Sequence, residues 1–308
     1  MRKSSGKLPG VLTALAATAL WGGSYPVGRL LFNRCEADFD GLSFSLLRFI
    51  ISALILSPAL ADRAAWRTLR SCWREDAPKI AGLAAVGIVA EGVLLFFSTK
   101  YTTAARSSIL ANTAPIFTVF ISHWATREVI SGRKLSGMIV GAAGMLAAVA
   151  SHGEDVFSGG ASTLAGDVLA MSSGICWAVY TVFGAKPVEK YGAWFLTELL
   201  FISAALLMIP VIFLSGNTFS LPTSIIAWSG LLYWGVLANA AAFGLWYAAL
   251  KYLKPGELGA FGYLTPLVSV ILSVLLFAEK ISWPFCLSAC LIFAGIKLMF
   301  TSFQQEKK

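Results

Sequence analysis

The chain has 308 residues, of which 57% are hydrophobic and 13% are charged, and its mean hydropathy is +0.74. Soluble domains carry about a quarter charged residues, and a soluble protein of this size could not hide so much apolar surface, so water-soluble classes are excluded. The net charge of +8 does not point to nucleic acid, because the basic residues sit in short loops between apolar runs, as in the cytoplasmic loops of a membrane protein.

A spanning helix needs about 20 mostly apolar residues. In chain order, ten runs of this kind are predicted: residues 9–31, 41–61, 79–99, 105–125, 135–151, 163–184, 193–214, 225–249, 257–277 and 284–302. The first has the basic start and apolar run of a signal peptide. Its Trp21 and Gly28 return as Trp177 and Gly184, 156 positions on, so it is expected to stay in the mature fold. Residues 62–79 are basic and contain Trp66 and Trp73, which suits either a short helix on the membrane surface or a solvated loop. Tight turns at Tyr101-Thr102-Thr103 and Lys254-Pro255-Gly256 are predicted to join the third helix to the fourth and the eighth to the ninth.

Lys and Arg set the orientation. With the N-terminus in the cytoplasm, 17 of the 24 basic residues fall in inside segments, 4 in outside segments and 3 within helices. Both termini are therefore expected inside, in a cell (inner) membrane.

An offset of 151 positions lays the second half over the first. Pro115 falls on Pro266, Glu128 on Glu279, Gly144 on Gly295, and Lys100-Tyr101 on Lys251-Tyr252. Five helices per copy is an odd number, so the second copy must enter the membrane in the opposite sense. The fold class expected is an all-α integral membrane protein, with ten transmembrane helices as two inverted five-helix repeats, 1–151 and 163–302, and a cytoplasmic tail at 303–308.

These residues carry a family resemblance. Leu20-Trp21-Gly22, Arg48-Phe49, an Ala/Ser-rich fourth helix with Pro115, Glu128 after it, and Gly137, Gly141 and Gly144 all contribute. With the second copy's Pro266, Glu279 and Gly295, the chain resembles the drug/metabolite transporter superfamily, of the kind with paired EamA domains, over nearly its full length. The resemblance implies ten helices around a central cavity and export of amino acids or related metabolites. Relatives that export aromatic amino acids carry an Asn-Tyr-Leu-Trp-Pro run, where this chain has Asn112-Thr113-Ala114-Pro115. Small multidrug relatives use a glutamate in helix 1, where this chain has no acid.

Ionisable groups within a bilayer are costly and so are functional candidates. Glu91, in helix 3, is the candidate for holding a substrate ammonium or a coupling proton; a structural pair with Arg48 is the alternative. Arg48 is read as a structural residue, paired with a carboxylate or helix-end carbonyls. Glu198 is placed near the cytoplasmic end of helix 7, where it could reach water. Trp21, Tyr25, Trp177, Tyr180, Trp246 and Tyr263 are candidate cavity aromatics, with belts or packing as the plainer role. Asn112 and Asn239 are candidates for a solute carboxylate, or for bonding a neighbouring helix. Pro115 and Pro266 are predicted mid-helix, where proline frees a carbonyl and bends the helix, giving a hinge or a fixed shape.

Gly137-x-x-x-Gly141 is a close-packing motif, expected to act within the chain, so that a monomer or weak homodimer is anticipated. The five cysteines form no CxxC and the two histidines no cluster, so no metal site is expected. No Gly-rich phosphate loop, HExxH or GxSxG is present, so no cofactor and no catalytic residues are expected. The anticipated partners are a small-molecule substrate and membrane lipid, with proton coupling open. An intramembrane enzyme acting on lipid, or an exporter of drugs or nucleosides, is the alternative. Positions that break the repeat, such as Glu91 against Ala242 and Asn112 against Tyr263, are where substrate is expected.

Overall fold

The computed structural model describes residues 6–24, 26–28, 40–150, 163–216, 218–277 and 283–305. Among these, helix is the only regular secondary structure. The first half contains α1 (Leu8–Gly22), α2 (Gly41–Leu60), α3 (Arg63–Glu75), α4 (Ala77–Ser98), α5 (Ala104–Ala111), α6 (Ala114–Thr126) and α7 (Gly132–Ala150). The second contains α8 (Leu164–Tyr191), α9 (Ala193–Leu214), α10 (Ile225–Ala249), α11 (Pro255–Phe277) and α12 (Trp283–Gln305). Short polar side chains set several starts by accepting from otherwise orphaned backbone N–H groups. Asp40 Oδ2 accepts from Leu42 and Ser43, each at 3.1 Å, and Thr103 Oγ1 accepts from Arg106 at 3.2 Å. Ser224 Oγ accepts from Ala227 at 3.1 Å.

Among the described residues, seven helices are long and apolar enough to cross a membrane: α2, α4, α8, α9, α10, α11 and Trp283–Phe300 of α12. The other three expected spans coincide with α1, the α5–α6 pair and α7, which are not among these seven. Large apolar side chains face outward, with Phe213 79% and Leu275 72% exposed. Such a surface is stable against lipid rather than water, and the protein is a multi-pass membrane protein.

The regular helices are interrupted at matching places. α4 contains a π-helical segment at Ala85–Ala90 and α10 one at Tyr233–Ala241, and these overlap at the offset of 151. The predicted fourth helix is two helices, α5 and α6, divided at Asn112-Thr113. At the corresponding place α11 contains a 3₁₀ turn, Ala260–Tyr263. Pro115 therefore does not kink a continuous helix: it stands in the first turn after the break, where the N–H that proline lacks would have had no helical partner. Pro266 lies inside α11, just after its 3₁₀ turn. Pro255 and Gly256 open α11 rather than forming the turn before it.

The packing of the halves is reciprocal. α1 lies against the second part of α10 and against α11, and α8 lies against the second part of α4 and against α6. α2 pairs with α9; α2 also meets the π segment of α10, as α9 meets that of α4. α7 and α12 run along each other in the closest pairing of the fold. Their backbones touch: a Cβ placed on Gly295 would come within 2.6 Å of Gly141 N and 2.7 Å of Gly137 O. The Gly137-x-x-x-Gly141 motif is thus used inside the chain.

Glu128 is a loop anchor. It is buried and accepts from Lys134 Nζ at 3.3 Å, Thr126 Oγ1 at 3.2 Å and the backbone N of Gly256 at 3.4 Å, tying the α6–α7 loop to the start of α11. Glu279 lies outside the described residues.

Candidate functional site

A cavity of about 340 Å³ lies among α1, α2, α4, α5, α6, α8, α10 and α11. This is at the small end of the range for small-molecule pockets, roughly 300–1,000 Å³. Larger clefts of about 530 and 690 Å³ lie among charged groups at the helix ends. The smaller one is the candidate site because it gathers the membrane-embedded polar groups.

Its apolar wall is an aromatic cluster. The Trp21 ring meets Trp177, Phe243 and Trp246 edge-on at centroid distances of 5.0, 5.5 and 5.2 Å. Edge-to-face contact places the positive rim of one ring on the negative face of another. Trp21 is also held by its indole N–H, which donates to Ala238 O at 2.7 Å. Trp246 Nε1 donates to Thr181 Oγ1 at 3.1 Å. Behind Trp177, Tyr180 stacks on Tyr247 at 4.4 Å and 7°, giving the cluster a second layer.

The polar wall comes from the interrupted helices. Glu91 directly follows the π segment of α4, while Trp234, Ala238 and Asn239 lie on that of α10. Such segments recur at functional sites because the wider turn redirects side chains and carbonyls. Here Gly235 O and Ala238 O both accept side-chain donors from other helices, the first from Ser52 Oγ at 2.8 Å. Ser173 Oγ donates to Glu91 Oε1 at 3.5 Å. Arg48 enters from α2 with its guanidinium 5.0 Å from the Phe49 ring centroid. Its Nε is buried without a hydrogen-bond partner, and so is Asn239 Nδ2. Arg48 and Glu91 line the same cavity and feel each other's charge, but they form no direct ion pair. Asn112 is different: its Nδ2 donates to Ser108 O at 2.8 Å, within its own helix.

Of the residues singled out in the sequence, the cavity brings together Trp21, Arg48, Glu91, Asn112, Pro115, Trp177, Asn239 and Trp246. Tyr180 stands behind Trp177 and does not line it. Tyr263 is buried against Gly141 with its hydroxyl 3.5 Å from Met138 O, so it is a packing residue. Pro266 is off the cavity, whereas its neighbour Thr265 lines it. Tyr25 lies outside the described residues. Glu198 does not reach water: it is 2% exposed with Oε2 unpartnered, because α9 is packed between α2 and α4.

The structure adds Ser24, Phe49, Ser173, Trp234, Phe243 and Thr265 to the lining. Three of these carried a periodic signal. Ser24 follows Trp21 by three positions, Ser173 precedes Trp177 by four and Phe243 precedes Trp246 by three, so each is at helical spacing from a residue already singled out.

Comparison with known proteins agrees with this architecture. The model of the EamA-like transporter family matches residues 8–150 and again 164–301. An uncharacterized transporter of Archaeoglobus fulgidus is 29% identical over 92% of this chain and 95% of its own length. The uncharacterized transporter YetK of Bacillus subtilis is 25% identical over 91% of this chain and 83% of its own. A solved crystal structure shares the fold with a TM-score of 0.79, covering 97% of this chain and 98% of the other at 19% identity. The chain belongs to the EamA-like transporter family, within the drug/metabolite transporter superfamily.

Proposed function

We propose that the protein is a secondary exporter of a small polar metabolite, an amino acid or a relative, held in the central cavity and released by alternating access. The observation that carries this reading is the cavity's chemistry. One guanidinium and one carboxylate that do not pair with each other stand beside an unpartnered amide donor and an aromatic wall. A zwitterion complements that set: its carboxylate accepts from Arg48 and Asn239, its ammonium donates to Glu91, and its apolar part packs on the aromatic rings.

Alternating access would come from rocking residues 1–151 against 163–302 as inverted five-helix repeats in a ten-span bundle, with 303–308 as a tail. The reciprocal packing of α1 and α8, and the matching interruptions of α4 and α10, support that symmetry. The Lys and Arg bias supports a cell (inner) membrane placement with both termini cytoplasmic. The internal use of Gly137 and Gly141 supports a monomer or, at most, a weak homodimer.

The test is efflux from proteoliposomes loaded with an amino acid panel, with a nucleoside and a cationic drug in parallel. Release of an amino acid at rates above empty vesicles is the expected result. Release of only the nucleoside or drug would move the substrate class, and release of none by folded protein would overturn the transport reading. Glu91→Gln is expected to lower transport at least about tenfold, since a lost charged interaction costs roughly 1.5–3 kcal/mol. If Glu91 is the proton site, the same variant also abolishes pH dependence; unchanged pH-driven transport would reject that role.

A further inference from the structure

Outside the cavity, the feature the transport reading leaves unused is α3. It is joined to the membrane-spanning helices α2 and α4 by Ala61-Asp62 and Asp76, so it must run at the end of the bundle, beside the bilayer surface. Its Arg63, Arg67, Arg70 and Arg74 follow the spacing i, i+4, i+7, i+11, which places all four within roughly 60° of helix circumference. All four are exposed, and among the described residues none forms an ion pair. Trp66 and Trp73, seven positions apart along the edge of that stripe, are 61% and 76% exposed. The opposite side holds the helix to the protein, with Cys72 buried and Leu69 and Ala65 packed on the core.

The acids of this region are all engaged elsewhere. Asp62 caps α3 by accepting from Ala65 N at 2.5 Å. Lys190 Nζ donates to Glu75 Oε2 at 2.9 Å and to Asp76 Oδ2 at 2.6 Å, and Tyr191 Oη donates to the same Asp76 oxygen at 2.6 Å. The arginine stripe is thus left without a counter-charge of its own, and its end is clamped to the α8–α9 corner.

We propose that α3 is a binding site for the phosphate groups of anionic phospholipids. Guanidinium groups donate bidentately to phosphate oxygens, and exposed indoles sit at the headgroup level of a bilayer. A row of four arginines with two flanking tryptophans complements a sheet of anionic headgroups, and the neighbouring spans hold it there. The inference does not depend on what the cavity carries.

The test uses the full-length protein in detergent, titrated with phosphatidylglycerol or phosphatidylcholine and read by native mass spectrometry. Each surface arginine is worth roughly fivefold in affinity for an anionic surface. The wild type is therefore expected to retain phosphatidylglycerol at least about tenfold better than phosphatidylcholine. The quadruple variant R63Q/R67Q/R70Q/R74Q is expected to lose that preference. The double variants R63Q/R67Q and R70Q/R74Q should each lose part of it, and they keep the test alive if the quadruple variant does not fold. An unchanged preference in the doubles, or in a folded quadruple variant, overturns the proposal. Displacement of the lipid by inorganic phosphate at matched concentration overturns it too, because the site would then read free anions rather than headgroups.

Discussion

The two halves share a backbone plan but divide the site's chemistry unequally. At paired positions where both line the cavity, some residues match, as Trp21 with Trp177, and others differ without carrying charge, as Ile88 with Asn239 and Leu95 with Trp246. The charge comes from the first half. Glu91 and Arg48 line the cavity, while their counterparts Ala242 and Leu199 are buried in packing. Asn112 lines the cavity and its counterpart Tyr263 packs on Gly141. A duplicated scaffold lets both copies keep the shape while one carries the charged groups. The helix interruptions belong to the shape, because both copies keep them.

The shared plan is most exposed to mutation where α7 meets α12. Gly295→Leu would drive a side chain into the backbone at Gly141 and Gly137, each within 2.7 Å of a bare Cβ. Overpacking at a rigid backbone contact exceeds the usual 1–3 kcal/mol, so loss of folded protein is expected, read by size-exclusion chromatography and thermal melting. Gly82→Ala, where nothing lies within 4 Å, should melt like the wild type. A Gly295→Leu protein as stable as the wild type would mean that the two helices do not touch as described.

A smaller effect separates the two cavity asparagines. Asn239 has an unpartnered Nδ2, whereas the Asn112 amide is bonded to Ser108 O. Removing a donor from Asn239 takes an interaction from the substrate, and a single hydrogen bond of about 1 kcal/mol is roughly fivefold in apparent affinity. Asn239→Ala is expected to raise the KM for efflux by that factor with the melt unchanged or improved. Asn112→Ala is expected to lower the melting temperature slightly and change KM less. Equal effects on KM would remove the distinction.

Much of the fold was legible because its signals are one-dimensional. Apolar length marks the helices and the 151-residue offset marks the two copies. Glu91, Arg48 and Asn239 were legible because polar groups stand out in apolar helices. The π segments were not, since Ala85–Ala90 and Tyr233–Ala241 read as ordinary apolar stretches of a spanning helix. They also shift the face that meets the cavity, which is why Trp234, five positions before Asn239, escaped a search at helical spacing. Tyr180 and Tyr263 were misplaced for a related reason. An aromatic ring in an apolar helix looks the same whether it lines a cavity or backs the wall, and only the neighbouring helices decide.

Tyr263 offers the finest test of the comparison between the halves. Its hydroxyl makes one long contact, 3.5 Å to Met138 O, while its ring fills the space beside Gly141. Tyr263→Phe keeps the ring and removes only that contact, so the cost should be about 0.5 kcal/mol, below the usual net value for a hydrogen bond. A melting shift of only a degree or two is expected, with KM and maximal efflux unchanged. Efflux that falls severalfold while the melt stays put would place the hydroxyl in the transport path, and the second copy would then carry polar chemistry that its packing conceals. Efflux that tracks the wild type leaves Tyr263 a packing residue beside Gly141, while its counterpart, Asn112, lines the cavity.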